Sequence, residues 1–111
     1  MAGIQNLAVI DDASGTTYGF GLNAFTADAN YIVSVIATNM TDEDGSINVY
    51  IVPEGSTNYA NSDTWAPIAY NLPLPAYNSY ETFRFGINNT DEVWVAGSAG
   101  TRYFVQGIEQ A

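Results

Sequence analysis

The sequence of 111 residues contains no cysteine, no histidine and no lysine. Without cysteine and histidine, neither a Ser–His or Cys–His nucleophile pair nor a thiolate- or imidazole-based metal site can form. Without lysine, a Schiff base and the phosphate-binding lysine of a P-loop are excluded. We therefore predict that the protein is not an enzyme and that it has no catalytic residues, no cofactor and no metal site.

Positive charge is almost as scarce. Arg84 and Arg102 are the only cations against twelve acidic residues, and the formal net charge is −10. Nucleic-acid binding requires several lysine or arginine contacts with phosphates, and anionic membrane surfaces attract basic segments. The charge balance therefore predicts neither a nucleic-acid partner nor a membrane partner.

Long hydrophobic runs are also missing. The sequence begins Met1-Ala2-Gly3-Ile4 without a basic segment, and the apolar run Leu7–Ile10 ends at Asp11 and Asp12. This run is too short for the hydrophobic part of a signal peptide, and no stretch approaches the roughly 18–20 residues of a membrane span. We expect a soluble product that stays in the cytoplasm in which it is made.

What the sequence does have is strand-forming residues, in short runs separated by Gly, Asn, Asp and Pro. No apolar pattern of helical period extends over three turns, so we predict an all-β fold: one domain over residues 1–111, an antiparallel β-sandwich of Greek-key or jelly-roll type. The eight predicted strands are Leu7–Ile10, Thr16–Leu22, Asn30–Asn39, Ser46–Val52, Trp65–Leu72, Tyr80–Ile87, Glu92–Ala96 and Arg102–Glu109.

Local patterns predict how some of these strands are connected. The Asp44-Gly45 pair favours a hairpin between the third and fourth strands, because Gly tolerates a positive φ. Pro73 and Pro75 predict an edge strand or a crossing between sheets. The last three strands are predicted to form a meander, the first of them with Phe83, Phe85 and Ile87 facing inward and Thr82 and Arg84 outward.

The acidic residues raise two questions of chemistry. The turn Asp42-Glu43-Asp44 could supply some calcium ligands, but its spacing is not that of an EF-hand, and a solvated turn is the simpler interpretation. A glycosidase would need two carboxylates that face each other across a cleft. Glu81, Glu92 and Glu109 are the strand residues available for that role, and nothing in the sequence pairs them.

The candidate interaction residues are aromatic and cationic. Tyr59 and Trp65 lie in or beside a loop rich in Asn and Ser, a composition typical of binding loops, and Trp94 is predicted to face outward. The alternative is that Trp65 closes the open end of the core. Arg84 and Arg102 are expected to pair with carboxylates inside the chain, or to act as interface hot spots if they are exposed.

Several segments, taken in their order along the chain, carry a resemblance to known proteins. They are Val33–Asn39, the strand Ile47-Asn48-Val49-Tyr50-Ile51-Val52-Pro53-Glu54-Gly55, then Ile68–Asn71, Asn78–Glu81 and the terminal Gly107-Ile108-Glu109. This order resembles small β-sandwich virion proteins of tailed bacteriophages, including those of marine cyanobacterial phages. The resemblance covers about residues 31–109.

The resemblance implies a structural role on the virion, which is assembled in the host cytoplasm. The leading hypothesis is a capsid decoration or cement protein that binds the major capsid protein or other virion proteins. The alternatives are a tail, neck, collar or fibre-adaptor subunit, or a carbohydrate-binding module using Tyr59, Trp65 or Trp94. Because a small sandwich leaves open edge strands, we also expect a homo-oligomer, for which a trimer is one closed arrangement.

Overall fold

The computed structural model describes residues 3–12, 21–54 and 65–110. These residues form nine strands and no helix. The strands are β1 (Gln5–Ile10), β2 (Leu22–Thr26), β3 (Tyr31–Asn39), β4 (Gly45–Val52), β5 (Ala66–Leu74), β6 (Ser79–Glu81), β7 (Phe85–Ile87), β8 (Glu92–Gly97) and β9 (Thr101–Glu109). The predicted all-β fold is confirmed. Most of the second predicted strand, Thr16–Leu22, lies outside the described residues, and β2 was not predicted.

The strands form two antiparallel sheets that pack face to face. The five-stranded sheet has the order β1-β9-β3-β6, with β7 also paired to β3, and the four-stranded sheet has the order β2-β8-β4-β5. Successive side chains of a strand point to opposite faces of its sheet, so every second side chain of the central strands packs in the core between the two sheets. The fully buried side chains include Val33, Val35, Ile47, Val49, Val93, Val95, Tyr103 and Val105.

The predicted hairpin between β3 and β4 is wrong. β3 pairs with β9, β6 and β7, whereas β4 pairs with β5 and β8, so the acidic turn crosses from one sheet to the other. Asn39, which is 2% exposed, holds this crossing. Its amide donates to the carbonyl oxygens of Glu43 (2.8 Å) and Leu74 (3.0 Å), and its side-chain oxygen accepts from the backbone N–H of Thr41 (2.9 Å).

The predicted C-terminal meander is also wrong. β7 lies in the five-stranded sheet, β8 in the four-stranded sheet and β9 again in the five-stranded sheet, between β1 and β3. Both β7 and β9 pair with β3, on its two sides. Consecutive strands at this end of the chain therefore alternate between sheets, as in a jelly-roll type of sandwich.

The sixth predicted strand is interrupted by one extra residue. Ile36 is opposite Glu81 and Val33 is opposite Phe85, so two residues of β3 face three between β6 and β7. A one-residue insertion reverses the side-chain alternation. The predicted orientations are therefore wrong for Thr82, which is buried, and for Phe83, which is 62% exposed. They are confirmed for Phe85 and Ile87, which are buried, and for Arg84, which is exposed.

Thr82 completes the hydrogen bonding at this irregularity. Its backbone N–H donates to the carbonyl oxygen of Val35 (2.9 Å), and its hydroxyl accepts from the N–H of Val35 (3.0 Å). A side chain thus replaces the missing backbone acceptor, which a buried N–H needs.

The proline-containing strand lies where the sequence predicted. β5 is an edge strand of the four-stranded sheet, and it includes Pro67 and Pro73 opposite Tyr50 and Ser46 of β4. Proline lacks the N–H of an interior strand, so the edge position accommodates it. Two register shifts in β5 and the positive φ of Asn71 (48°) accompany this pairing.

Candidate functional site

The outer face of the five-stranded sheet carries a set of partly or fully exposed apolar side chains, which we call the isoleucine face. Ile36 is opposite Phe104, and Ile32 is opposite Ile108, on the central strands β3 and β9. Ile4, 60% exposed, borders the two shallow depressions of this face, one with Ile32 and Ile108 and one with Ile36 and Phe104. The members of the isoleucine face are Ile4, Ile32, Ile36, Phe104 and Ile108.

A small polar network lies in the middle of the isoleucine face. The amide of Gln106 donates to the hydroxyl of Ser34 (3.2 Å) and to the carboxylate of Glu81 (3.3 Å), and the Ser34 hydroxyl donates to the same Glu81 oxygen (3.3 Å). The Glu81 carboxylate accepts both bonds, so the polar groups of this network are hydrogen-bonded to one another while Glu81 keeps its negative charge. The face is therefore apolar with a satisfied polar centre.

Both cations of the chain lie on this sheet. Arg102 forms an ion pair with Asp11 at 3.0 Å, which confirms the expected pairing within the chain. Arg84 borders the depression that contains Ile4, Ile32 and Ile108, is exposed, and forms no ion pair with any residue in the described ranges. For Arg84 the expected pairing is therefore not observed there, and its place among apolar side chains fits the interface alternative.

The charge of this surface differs from that of the rest of the molecule. The formal charges of Arg84, Arg102, Asp11 and Glu81, which lie on the outer side of the five-stranded sheet, sum to zero, whereas the whole sequence has a formal net charge of −10. Like charges oppose contact between surfaces, so the neutral apolar side is the surface best suited to docking.

The outer face of the four-stranded sheet carries rings instead, and we call it the aromatic face: Tyr50, Trp65, Tyr70 and Trp94. Tyr50 and Trp94 are opposite each other on β4 and β8. The ring of Trp65 lies 5.0 Å from that of Trp94 and 5.6 Å from that of Tyr50, between centroids. The indole N–H of Trp94 donates to Glu92 at 2.7 Å, which fixes the orientation of that ring.

The structure limits what the aromatic residues singled out from the sequence can do. Trp65 is 6% exposed and packs on the outer face of the sheet, so it does not close the end of the core as the alternative interpretation held. Trp94 faces outward as predicted and is partly buried. Tyr59 lies outside the described residues. Tyr70, which the sequence did not single out, is 72% exposed.

Three tyrosines have raised pKa values. The hydroxyl of Tyr31 donates to the carboxylate of Asp28 at 2.6 Å, and this bond is the main cause that raises the pKa of Tyr31 to about 12. Burial raises the pKa of Tyr50 and of Tyr103. The buried Tyr103 hydroxyl has no hydrogen-bond partner in the described part of the chain and abuts the backbone at Gly97, where a β-carbon would collide with it.

The acidic candidates are spread over the molecule. Glu81 and Glu109 are on the five-stranded sheet and Glu92 is on the four-stranded sheet. The carboxylate of Asp44 accepts from the N–H of Ala76 at 3.1 Å. Within the described ranges, no three acidic side chains come together as a metal site would require, and no helix could cross a membrane.

Comparison with known proteins gives only distant structural similarity. No protein-family model matches the sequence, and no curated protein is similar to it at a significant level. Among solved structures, a CBM4 carbohydrate-binding module is 18% identical, with 98% of this chain and 78% of that chain covered and a TM-score of 0.43.

Two further solved structures show a similar level of similarity. The Eiger TNF of S. frugiperda is 7% identical, with 99% and 91% of the two chains covered and a TM-score of 0.43. The CBM22-1–GH10 modules of Clostridium thermocellum xylanase 10B, complexed with xylohexaose, are 11% identical, with 99% and 25% covered and a TM-score of 0.37. We draw no functional conclusion from similarities this distant. The chain is thus defined by its own geometry, an antiparallel β-sandwich with two chemically different outer faces.

Proposed function

We propose that the protein is a non-enzymatic structural subunit on the outside of a bacteriophage virion, a capsid decoration or cement protein. The observation that carries the proposal is the isoleucine face, an apolar and formally neutral surface on a protein of net charge −10. The sequence resemblance to phage virion proteins indicates which partner this face meets. We assign that partner as the major capsid protein or another protein of the particle.

The size of the face bears on how many copies act together. Four strand positions at about 4.8 Å and nine residues at about 3.4 Å give roughly 600 Å². A stable interface buries about 800 Å² on each partner. One face alone falls short of this area, so the proposal includes a homo-oligomer whose copies, held together, attach to the particle as a unit. A trimer is the closed arrangement that we propose.

The test is the composition of purified virions of the phage that encodes the chain. Mass spectrometry of copy number relative to the major capsid protein, together with a cryo-electron microscopy map, distinguishes the locations. We expect many copies and density on the outer surface of the head. A ring of few copies at the neck or tail would show the alternative location, and absence from the virion would refute the proposal.

The aromatic face supports a second candidate function, carbohydrate binding. Aromatic rings present flat apolar surfaces, and the neighbouring amides of Asn48 and Asn71 lie on β4 and β5 beside Tyr50 and Tyr70. However, the Asn48 oxygen already accepts from the N–H of Asn71 at 2.7 Å, and the ring of Trp65 covers part of Tyr50 and Trp94. The rings are thus largely used in packing, which makes this the weaker candidate.

A glycan array with the intact protein tests the second candidate. Binding that is lost in Tyr70→Ala and kept in Phe104→Ala would support it, because Tyr70 lies on the aromatic face and Phe104 lies on the isoleucine face. The absence of binding to any neutral glycan would remove it.

A further inference from the structure

Arg84 occupies a special position on the isoleucine face. It follows the extra residue between β6 and β7, and it borders the depression lined by Ile4, Ile32, Ser34, Gln106 and Ile108. A guanidinium is planar and presents five N–H donors, a geometry that matches a carboxylate with two parallel bonds. Arg84 thus lines a small recess whose other walls are mostly apolar.

The carboxylates of the same surface are already engaged. Asp11 is held by Arg102 at 3.0 Å, and Glu81 accepts from Ser34 and Gln106. Arg84 has no such partner among the residues that the structure describes. In a symmetric contact between two copies of this face, Arg84 would meet carboxylates that already bond within their own copy, Asp11 with Arg102 and Glu81 with Ser34 and Gln106. The charge pattern therefore favours a partner surface that differs from this one.

We infer that Arg84 binds a carboxylate on the virion protein against which the isoleucine face docks, an aspartate or glutamate side chain flanked by apolar residues. This inference rests on the proposed function and specifies the chemistry of its contact. Arg84 fixes the orientation of the docked sheet, and the isoleucine face supplies the buried apolar area. Such a combination is typical of interface hot spots, in which an arginine is surrounded by side chains that exclude water.

The experiment uses phage particles assembled without this protein and the purified full chain added back. Bound copies per major capsid protein are measured against protein concentration, at low and at high salt. The variants are Arg84→Gln, Arg84→Lys and Arg102→Gln, each with an unfolding midpoint within error of the parent. Arg102→Gln is the matched control. It removes one positive charge, as Arg84→Gln does, but from an arginine that already forms an ion pair with Asp11.

We expect Arg84→Gln to weaken attachment at least tenfold and to reduce its dependence on salt. Arg84→Lys should recover part of the loss, since lysine keeps the charge but not the two parallel bonds. Arg102→Gln should weaken attachment less than threefold, as an exposed pair contributes little.

Two outcomes would overturn the inference, and a third would overturn the proposed function. Equal losses in Arg84→Gln and Arg102→Gln would show that only the total charge matters. Attachment unchanged in Arg84→Gln, with a loss of self-association in sedimentation velocity, would place the carboxylate on a second copy of the chain. If the parent protein does not attach at all, the proposed function fails independently of Arg84.

Discussion

The two outer faces of the sandwich use their apolar side chains in opposite ways. On the aromatic face, Trp65 packs against Tyr50 and Trp94 and is nearly inaccessible. On the isoleucine face, Phe104 of the interior strand β9 is 36% exposed, and Ile4, next to the edge strand β1, is 60% exposed. Aromatic content alone therefore does not indicate a binding surface, because rings that pack on each other serve stability.

The strongest test of this comparison is Trp65→Ala. Truncation of a buried tryptophan removes its contacts with two other rings, so we expect a loss of about 3–5 kcal/mol in the free energy of unfolding, measured with chemical denaturant. Tyr70→Ala on the same face is the control, since its exposed ring should change stability by less than about 0.5 kcal/mol. A small effect of Trp65→Ala would show that the rings are not a packing unit.

On the isoleucine face we expect a substitution to weaken attachment and to leave stability nearly unchanged. Phe104→Glu places a charge where the partner would cover it, and an unpaired charge buried at an interface costs several kcal/mol. We expect attachment to virions to fall about a hundredfold or more with little change in the unfolding midpoint. Tyr70→Glu, the same substitution on the aromatic face, should attach normally, and equal losses in the two variants would contradict the distinction between the faces.

A smaller effect, on the free energy of unfolding, is expected at the extra residue between β6 and β7, on one side of the isoleucine face. Thr82→Val keeps the side-chain shape but leaves the buried N–H of Val35 without its acceptor, at a cost of about 1–3 kcal/mol. Thr38→Val, whose hydroxyl bonds to that of Ser79 at an exposed position, is the control and should change little. If both substitutions cost the same, Thr82 is not what stabilises the interruption between β6 and β7.

The smallest effect concerns pH. The pKa of Tyr31 is raised to about 12, so between pH 10 and 12 the unfolded phenol ionises while the folded one keeps its proton. The contribution of this residue is therefore complete below pH 10 and is lost as the pH rises. Without histidine, no side chain has an ordinary pKa near 7, and we expect the unfolding midpoint to be flat from pH 6 to 9.

Tyr31→Phe provides the check on this pH dependence. The variant should be less stable than the parent at pH 8, because it lacks the bond to Asp28, and its midpoint should fall less steeply above pH 10. Tyr50 and Tyr103, whose pKa values burial raises, still contribute to the fall in both proteins. An identical slope in the variant would exclude Tyr31 as a source of the alkaline loss.

Much of the fold could be predicted because it depends on local patterns. The apolar run and the alternation of side chains predicted the strands Asn30–Asn39 and Ser46–Val52 within one residue of their observed ends. The prolines predicted an edge strand or a crossing between sheets, and the edge is what β5 forms, since the missing N–H is a property of the residue itself. Such features need no knowledge of the partner strand.

What failed depends on distant partners. An acidic turn ending in Asp44-Gly45 is compatible both with a hairpin and with a crossing between sheets, and the choice is made by Asn39 bonding to Leu74, thirty-five residues away. The inserted residue at Thr82 has no compositional signal, and it reversed the predicted facing of Phe83. The isoleucine face was missed for a similar reason: its members come from three separate segments, and their exposure becomes visible only when the sheets are assembled.

The position of β9 has a consequence for biosynthesis. It fills the gap between β1 and β3, yet it emerges from the ribosome after every other strand that the structure describes. Until then, the edges of β1 and β3 that it will cover have no partner, and nascent copies that emerge side by side on neighbouring ribosomes present the same unsatisfied edges to one another. Efficient folding of these two sheets should therefore depend on how soon β9 follows the other described strands out of the ribosome.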